Sequence, residues 1–97
     1  MVFTQRYKLA EFALKHSNAL NPLNNWIERV DRAKWSNHND LKADFPSADY
    51  VSNNRYVFNI KGNNYRIIVV VVFFAGELNV RFAGTHAEYD KIDAKKI

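Results

Sequence analysis

The stretch Tyr65-Arg66-Ile67-Ile68-Val69-Val70-Val71-Val72-Phe73-Phe74 constrains this chain more than any other. Its valines are β-branched and stiff at χ1, which suits a pleated surface better than a helix. Successive residues of a strand point to opposite faces. A run that is apolar at nearly every position therefore asks for cover on both faces. The uncharged segment from Ile67 to Gly76 is too short to cross a bilayer as a helix. Tyr65 to Phe74 thus reads as the long central strand of a sheet.

Its neighbours follow from turn chemistry. Lys61-Gly62-Asn63-Asn64 and Ala75-Gly76-Glu77 are turns in which Gly and Asn tolerate positive φ. They join Tyr56–Ile60, Tyr65–Phe74 and Leu78–Gly84 into an antiparallel meander, with a short edge strand within Asp49–Asn54. Alternation along the last strand puts Leu78, Val80 and Phe82 on one face and Asn79, Arg81 and Ala83 on the other. Arg66 shares a face with Ile68 and Val70.

The N-terminal half has helical periodicity. Leu9, Phe12, Ala13 and His16 recur at helical spacing within residues 5–16. A second helix is expected to start at Asn21 as N-cap, with Pro22 in the first helical position. Leu23, Trp26, Ile27 and Val30 form its apolar stripe. Leu41–Asp44 suits a short helical turn ahead of Pro46. The expected class is α+β, a single domain over residues 1–97, with two N-terminal helices packed on one face of a twisted antiparallel sheet.

Composition narrows the chemistry. With no cysteine there is no disulfide frame, thiolate metal site or cysteine nucleophile. Met1-Val2-Phe3-Thr4-Gln5-Arg6 lacks the apolar core of a signal peptide, so a cytoplasmic protein is expected. His16, His38 and His86 are scattered, without carboxylates at ligand spacing, so no metal is expected. His16 reads as core or boundary packing and His38 as a solvated loop residue. The three glycines form no phosphate loop or dinucleotide fingerprint, so no cofactor is expected.

The net charge of +4 favours polyanionic partners and is uneven. Residues 1–54 hold seven Lys/Arg and six Asp/Glu, a net of +1; residues 55–97 hold seven and four, a net of +3. The basic and aromatic residues there are Arg55, Lys61, Arg66, Arg81, His86, Tyr89 and Lys91. Arginines on neighbouring strands can converge on one face, and His86 and Tyr89 follow the last strand directly. Such a set suits RNA cleavage by the ribose 2′-hydroxyl. That reaction needs a proton acceptor, cations on the phosphate and a proton donor for the leaving oxygen. Arginine forks onto phosphate oxygens, histidine transfers protons, and tyrosine stacks on bases. The plainer reading pairs Arg66 and Arg81 with Glu77 or Asp90, lets Tyr89 pack the final turn, has His86 cap the strand end and leaves Lys61 as a solvated turn residue.

Longer blocks carry a resemblance. They are Trp26 and Trp35 flanking Ala33-Lys34, the segment Leu41 to Ala48, the segment Asn54 to Arg66, and the segment Val80 to Ile92. In this order they resemble the HigB toxins of type II toxin–antitoxin pairs, within the wider RelE-like group. The resemblance implies a RelE-like fold with helices on a curved antiparallel sheet. It implies a ribosome-dependent mRNA endonuclease that works without metal or cofactor. It also implies a HigA-type helix-turn-helix antitoxin as partner, with DNA contacted only through that antitoxin and no membrane partner. Mapped onto this chain, the catalytic set is Arg66, Arg81, His86 and Tyr89, with Arg55, Lys61 and Lys91 as RNA or ribosome contacts. Many such toxins carry a mid-strand lysine, whereas Val69 to Phe74 is uncharged here. The alternative is a basic module that binds RNA, ribosome or antitoxin without cutting.

Overall fold

The computed structural model describes residues 1–97. The elements are β1 (Val2–Thr4), α1 (Tyr7–Lys15), α2 (Leu20–Arg32), α3 (His38–Asp44), β2 (Asp49–Ser52), β3 (Arg55–Ile60), β4 (Tyr65–Val72), β5 (Glu77–Thr85) and α4 (His86–Asp90). One five-stranded open sheet has the order β1-β5-β4-β3-β2. Strands β2 to β5 form the antiparallel meander that the turns dictate. β1, in contrast, pairs parallel with β5, Phe3 opposite Leu78.

The expectation of two helices followed by a wholly antiparallel sheet is therefore corrected. A strand comes before the helices, a third helix follows them, and the sheet is mixed. Gln5, at a φ of 55°, turns the chain out of β1 into α1. α2 starts at Leu20 rather than Asn21, because a 3-10 turn at Ser17–Ala19 feeds straight into it and no side chain caps it. Pro22 still lies in the first turn, where helical N–H groups have no partner within the helix. α3 is longer than the expected Leu41–Asp44, because Asn37 caps it by accepting from the Asp40 N–H.

The two faces of β4 are covered unequally. Tyr65, Ile67, Val69 and Val71 lie in one large cluster with Leu9 and Phe12 of α1 and Leu23, Trp26 and Val30 of α2. On the opposite face Ile68 and Val57 form a small cluster with Ala94, against which Phe82, Tyr89 and Ile92 pack. Arg66, Val70 and Val72 remain half-buried on that side. The strand is thus fully covered by the helices, while the last dozen residues cover its other face only around Ile68. It also ends at Val72; Phe73–Ala75 form a 3-10 turn, and Phe74 is 97% exposed.

β5 carries an irregularity that alternation could not reveal. Ile68 pairs with Phe82 and Val69 with Val80, leaving Arg81 as an extra residue. Val80 joins the helix-side cluster and Phe82 the opposite one. The reading that placed Leu78, Val80 and Phe82 on one face fails at Phe82, because a β-bulge inverts the phase of everything beyond it.

Ile67 and Ile68 are both fully buried neighbours on opposite faces. Ile67→Ala is expected to destabilise by about 2–5 kcal/mol. Ile68→Ala should fall near or below the lower end of that range, because its thin cover can collapse into the space. Urea unfolding of the two variants checks this; equal losses would contradict the unequal cover.

Candidate functional site

β5 runs directly into α4, and the junction is fixed by a capping box. The Thr85 hydroxyl accepts from the Glu88 N–H at 3.1 Å, and a Glu88 carboxylate oxygen accepts from the Thr85 N–H at 2.9 Å. The His86 N–H donates to the Asn64 carbonyl at 3.3 Å, tying α4 to the β3–β4 turn. Gly84 is buried where the chain enters α4. A Cβ there would lie 2.7 Å from the Phe82 ring and 2.8 Å from Glu88 Oε1, so only glycine lets the cap close without displacing them.

This junction sets three of the sequence-derived residues together. The Arg66 guanidinium carbon lies 4.6 Å from the centroid of the Tyr89 ring, a cation–π contact. The His86 and Tyr89 ring centroids are 6.4 Å apart. His86 Nδ1 is 3.2 Å from Asp90 Oδ2, one helical turn on, which leaves Nε2 as the outward nitrogen. Arg66 makes no ion pair. The pairing of Arg66 and Arg81 with Glu77 or Asp90 does not occur, and Asp90 serves His86 instead. The Nε atoms of both arginines are buried without a hydrogen-bond partner in the protein. Such groups are uncommon in folded proteins, where a buried donor left unpaired costs about 1–3 kcal/mol.

The other residues scatter. Arg81, at the bulge, lines a cleft between β5 and α1 together with Lys8, Lys15 and His16. No ring contact or ion pair joins it to Arg66, Tyr89 or His86. Arg55 donates through Nε to the Ile97 carbonyl at 3.0 Å and through Nη1 to the Asn53 carbonyl, so its fork holds the chain's last segment. Lys61 is exposed at the β3–β4 turn with a φ of 54°, and lines a groove with Trp26 and Arg29 on the helix side of the sheet. Lys91 is exposed directly after α4.

Three features escaped the sequence reading. Asn59 lies opposite Arg66 in the β3–β4 register, and its Oδ1 is also buried and unpartnered. Strand alternation held that signal, because Asn59 is the one polar residue of its strand interior. Asp90 is visible only as a residue four places after His86. His38, read as a solvated loop residue, is exposed as expected but opens α3 instead of lying in a loop; its Nδ1 lies 2.7 Å from the Tyr56 hydroxyl, and its ring stacks on Tyr56. Burial raises the Tyr56 pKa, with a further push from neighbouring Tyr50, so this phenol stays protonated. His16 packs between Phe12 and Tyr65 at the sheet boundary. No group of three or more His, Asp or Glu side chains converges as metal ligands.

The capping box makes a stability prediction. The hydrogen bond from the Thr85 N–H, helped by one from its hydroxyl, holds the Glu88 carboxyl below the ordinary glutamate value, outweighing the opposing effect of burial. A depressed carboxyl pKa stabilises the fold above the unfolded pKa, about 4.3. That contribution disappears as pH falls through the lower folded value. Thr85→Ala is expected to cost about 1 kcal/mol at neutral pH. Glu88→Gln should flatten the loss of α4 protection on acidification, read by amide exchange of residues 86–90; an unchanged acid profile would exclude the cap as its cause.

The geometry can be set beside known proteins. The profile of the family described as "HigB_toxin, RelE-like toxic component of a toxin-antitoxin system" matches residues 19–92. The mRNA interferase toxin HigB of Escherichia coli strain K12 is 35% identical over 83 residues, spanning 84% of this chain and 77% of its own length. The mRNA interferase HigB of Shigella flexneri is similar to the same degree. That of Escherichia coli O6:H1 is 30% identical over 84 residues, spanning 84% of this chain and 82% of the relative. The matched span takes in α2, the whole meander and α4, and the chain belongs to the HigB toxin family, RelE-like toxic components of toxin–antitoxin systems.

Proposed function

We propose that this protein is a ribosome-dependent mRNA endonuclease, the toxin of a toxin–antitoxin pair, acting in the cytoplasm where translated mRNA is found. The observation that carries the reading is the carboxylate-free Arg66 guanidinium over the Tyr89 ring, with His86 three residues before Tyr89 on the same short helix. The names of the relatives, mRNA interferases, support the substrate class.

In this reaction the ribose 2′-hydroxyl attacks the adjacent phosphorus and the bond to the 5′-oxygen breaks. The products are a 2′,3′-cyclic phosphate and a free 5′-hydroxyl. No hydrolytic metal is needed for that first step. Arg66 supplies positive charge to the dianion-like transition state, and its Nε gains the acceptor it lacks in the free protein, whereas Arg81, facing α1, is set apart from that phosphate. His86, oriented through Nδ1 by Asp90, offers Nε2 for proton transfer. Tyr89 holds Arg66 on one face and presents its hydroxyl or ring edge to the nucleotide. Lys61 and Lys91 are contacts to RNA or ribosome, whereas Arg55 works through the chain's last segment. The partner is a HigA-type helix-turn-helix antitoxin, and DNA is reached only through it. No helix is long and apolar enough to cross a membrane.

Expression of the wild type should arrest growth and yield cut mRNA on translating ribosomes. His86→Ala should reduce cleavage about a hundredfold, and Arg66→Ala should reduce it at least as far without unfolding the chain. Intact mRNA with ribosome binding retained would favour the non-cleaving module instead.

A further inference from the structure

On the other side of α4 from Tyr89 lies a second basic feature. Glu88 and Tyr89 are adjacent, yet Tyr89 meets Arg66 while Glu88 lines a cleft of about 200 Å³ between β5 and α1. The cleft is lined by Lys8, Lys15, His16 and Arg81, with Glu11 and Glu88. It holds three permanent cations and two carboxylates, a net of +1 before His16 is counted. The charges are not mutually satisfied. Glu88 is turned to the cap of α4, where Thr85 N–H and hydroxyl both donate to it. Lys8 Nζ donates to the Arg81 carbonyl at 3.1 Å, which fixes its position at the rim. Lys15 and Arg81 form no ion pair, and the Arg81 Nε is buried and unpartnered.

The bulge explains why a cation stands here. It makes Arg81 the residue without a cross-strand partner, at the point where β5 has left β1 and runs alongside α1. A group that accepts two or more hydrogen bonds and carries negative charge would satisfy its fork and complement Lys15. A phosphodiester does both, and a single strand running past α4 would carry successive phosphates to the two sides of that helix.

We propose that the α1–β5 cleft is a second phosphate subsite, which grips the RNA backbone one or more nucleotides away from the phosphate held at Arg66. The identity of that RNA as substrate rests on the nuclease reading; the subsite itself is read by binding. Lys15, exposed at the end of α1, is the group that contributes to this grip without supporting the fold.

The test is salt-dependent fluorescence anisotropy with a 2′-O-methyl ten-nucleotide single strand, which cannot be cut. Each lost phosphate contact on a single strand should lower the slope of log affinity against log salt by about 0.7. Lys15→Ala should show that change and bind several-fold more weakly, and Lys15→Glu more weakly still. Lys34→Ala, outside the cleft, should leave the slope unchanged. With a dinucleotide, too short to span both subsites, the Lys15 effect should vanish. Competition by inorganic phosphate at matched ionic strength should displace the ten-mer only weakly, since one phosphate cannot bridge two subsites. The proposal is overturned if Lys15→Ala leaves the slope and affinity unchanged, if Lys34→Ala lowers them equally, or if the wild type binds no RNA. It is likewise overturned if Lys15→Ala weakens only the antitoxin complex. A Lys15 effect on binding in a protein that cuts no mRNA would remove the nuclease reading and leave the subsite standing; cut mRNA without a Lys15 effect would do the reverse.

Discussion

Burial of β4 on both faces is the constraint from which the other elements take their places. Its helix-side residues, Ile67, Val69 and Val71, are almost inaccessible, and α1 and α2 exist as packed helices because those side chains demand a lid. The stripes of the two helices answer in kind. Trp26 meets the Phe58 ring edge-on, with centroids 5.3 Å apart, so strand and helix are locked by shape as well as by area. On the other face the demand is smaller and is met by the chain's last segment around Ala94. The side chains left outside that small patch are Arg66 and its neighbours. The polar site therefore occupies what the thin lid does not cover.

Two local devices then decide what the site contains. The bulge at Arg81 adds one residue to β5 and inverts its phase, sending Phe82 to the thin face and Ala83 back toward the helices. The glycine-permitted cap at Thr85 and Glu88 starts α4 immediately after the strand ends. Between them they place Tyr89 against Arg66 and leave Arg81 facing α1. A regular strand with a longer loop would have given neither placement.

Much of this was legible from the residues. The valine run announced β4, the Gly- and Asn-bearing turns announced the meander, and the spacing of Leu9, Phe12, Leu23, Trp26 and Val30 announced the helical lids. Arg66, His86 and Tyr89 were also legible as a group, since alternation and chain proximity are local properties. What stayed hidden depends on distant partners. β1 has three residues and no turn signal, and it is a strand only because Phe3 finds Leu78 far along the chain. The bulge depends on how two strands settle against each other, which no single strand encodes. His38 sits among polar loop residues, and its role appears only once Tyr56 is brought beneath it. Arg55 looked like a free cation because the carbonyls it binds lie at Asn53 and at the far end of the chain.

The parallel pairing of β1 with β5 bears on when such a protein becomes dangerous to its maker. β1 closes against β5, with Phe3 opposite Leu78, and Lys8 of α1 reaches the Arg81 carbonyl 73 residues further along the chain. Contacts this distant in sequence are slow to form, since loop closure must come before they are rewarded. During synthesis, neither the wall of the cleft nor the helix bearing His86 and Tyr89 can be in place before residues 77–90 have left the ribosome. The topology itself thus withholds the assembled surface from a growing chain.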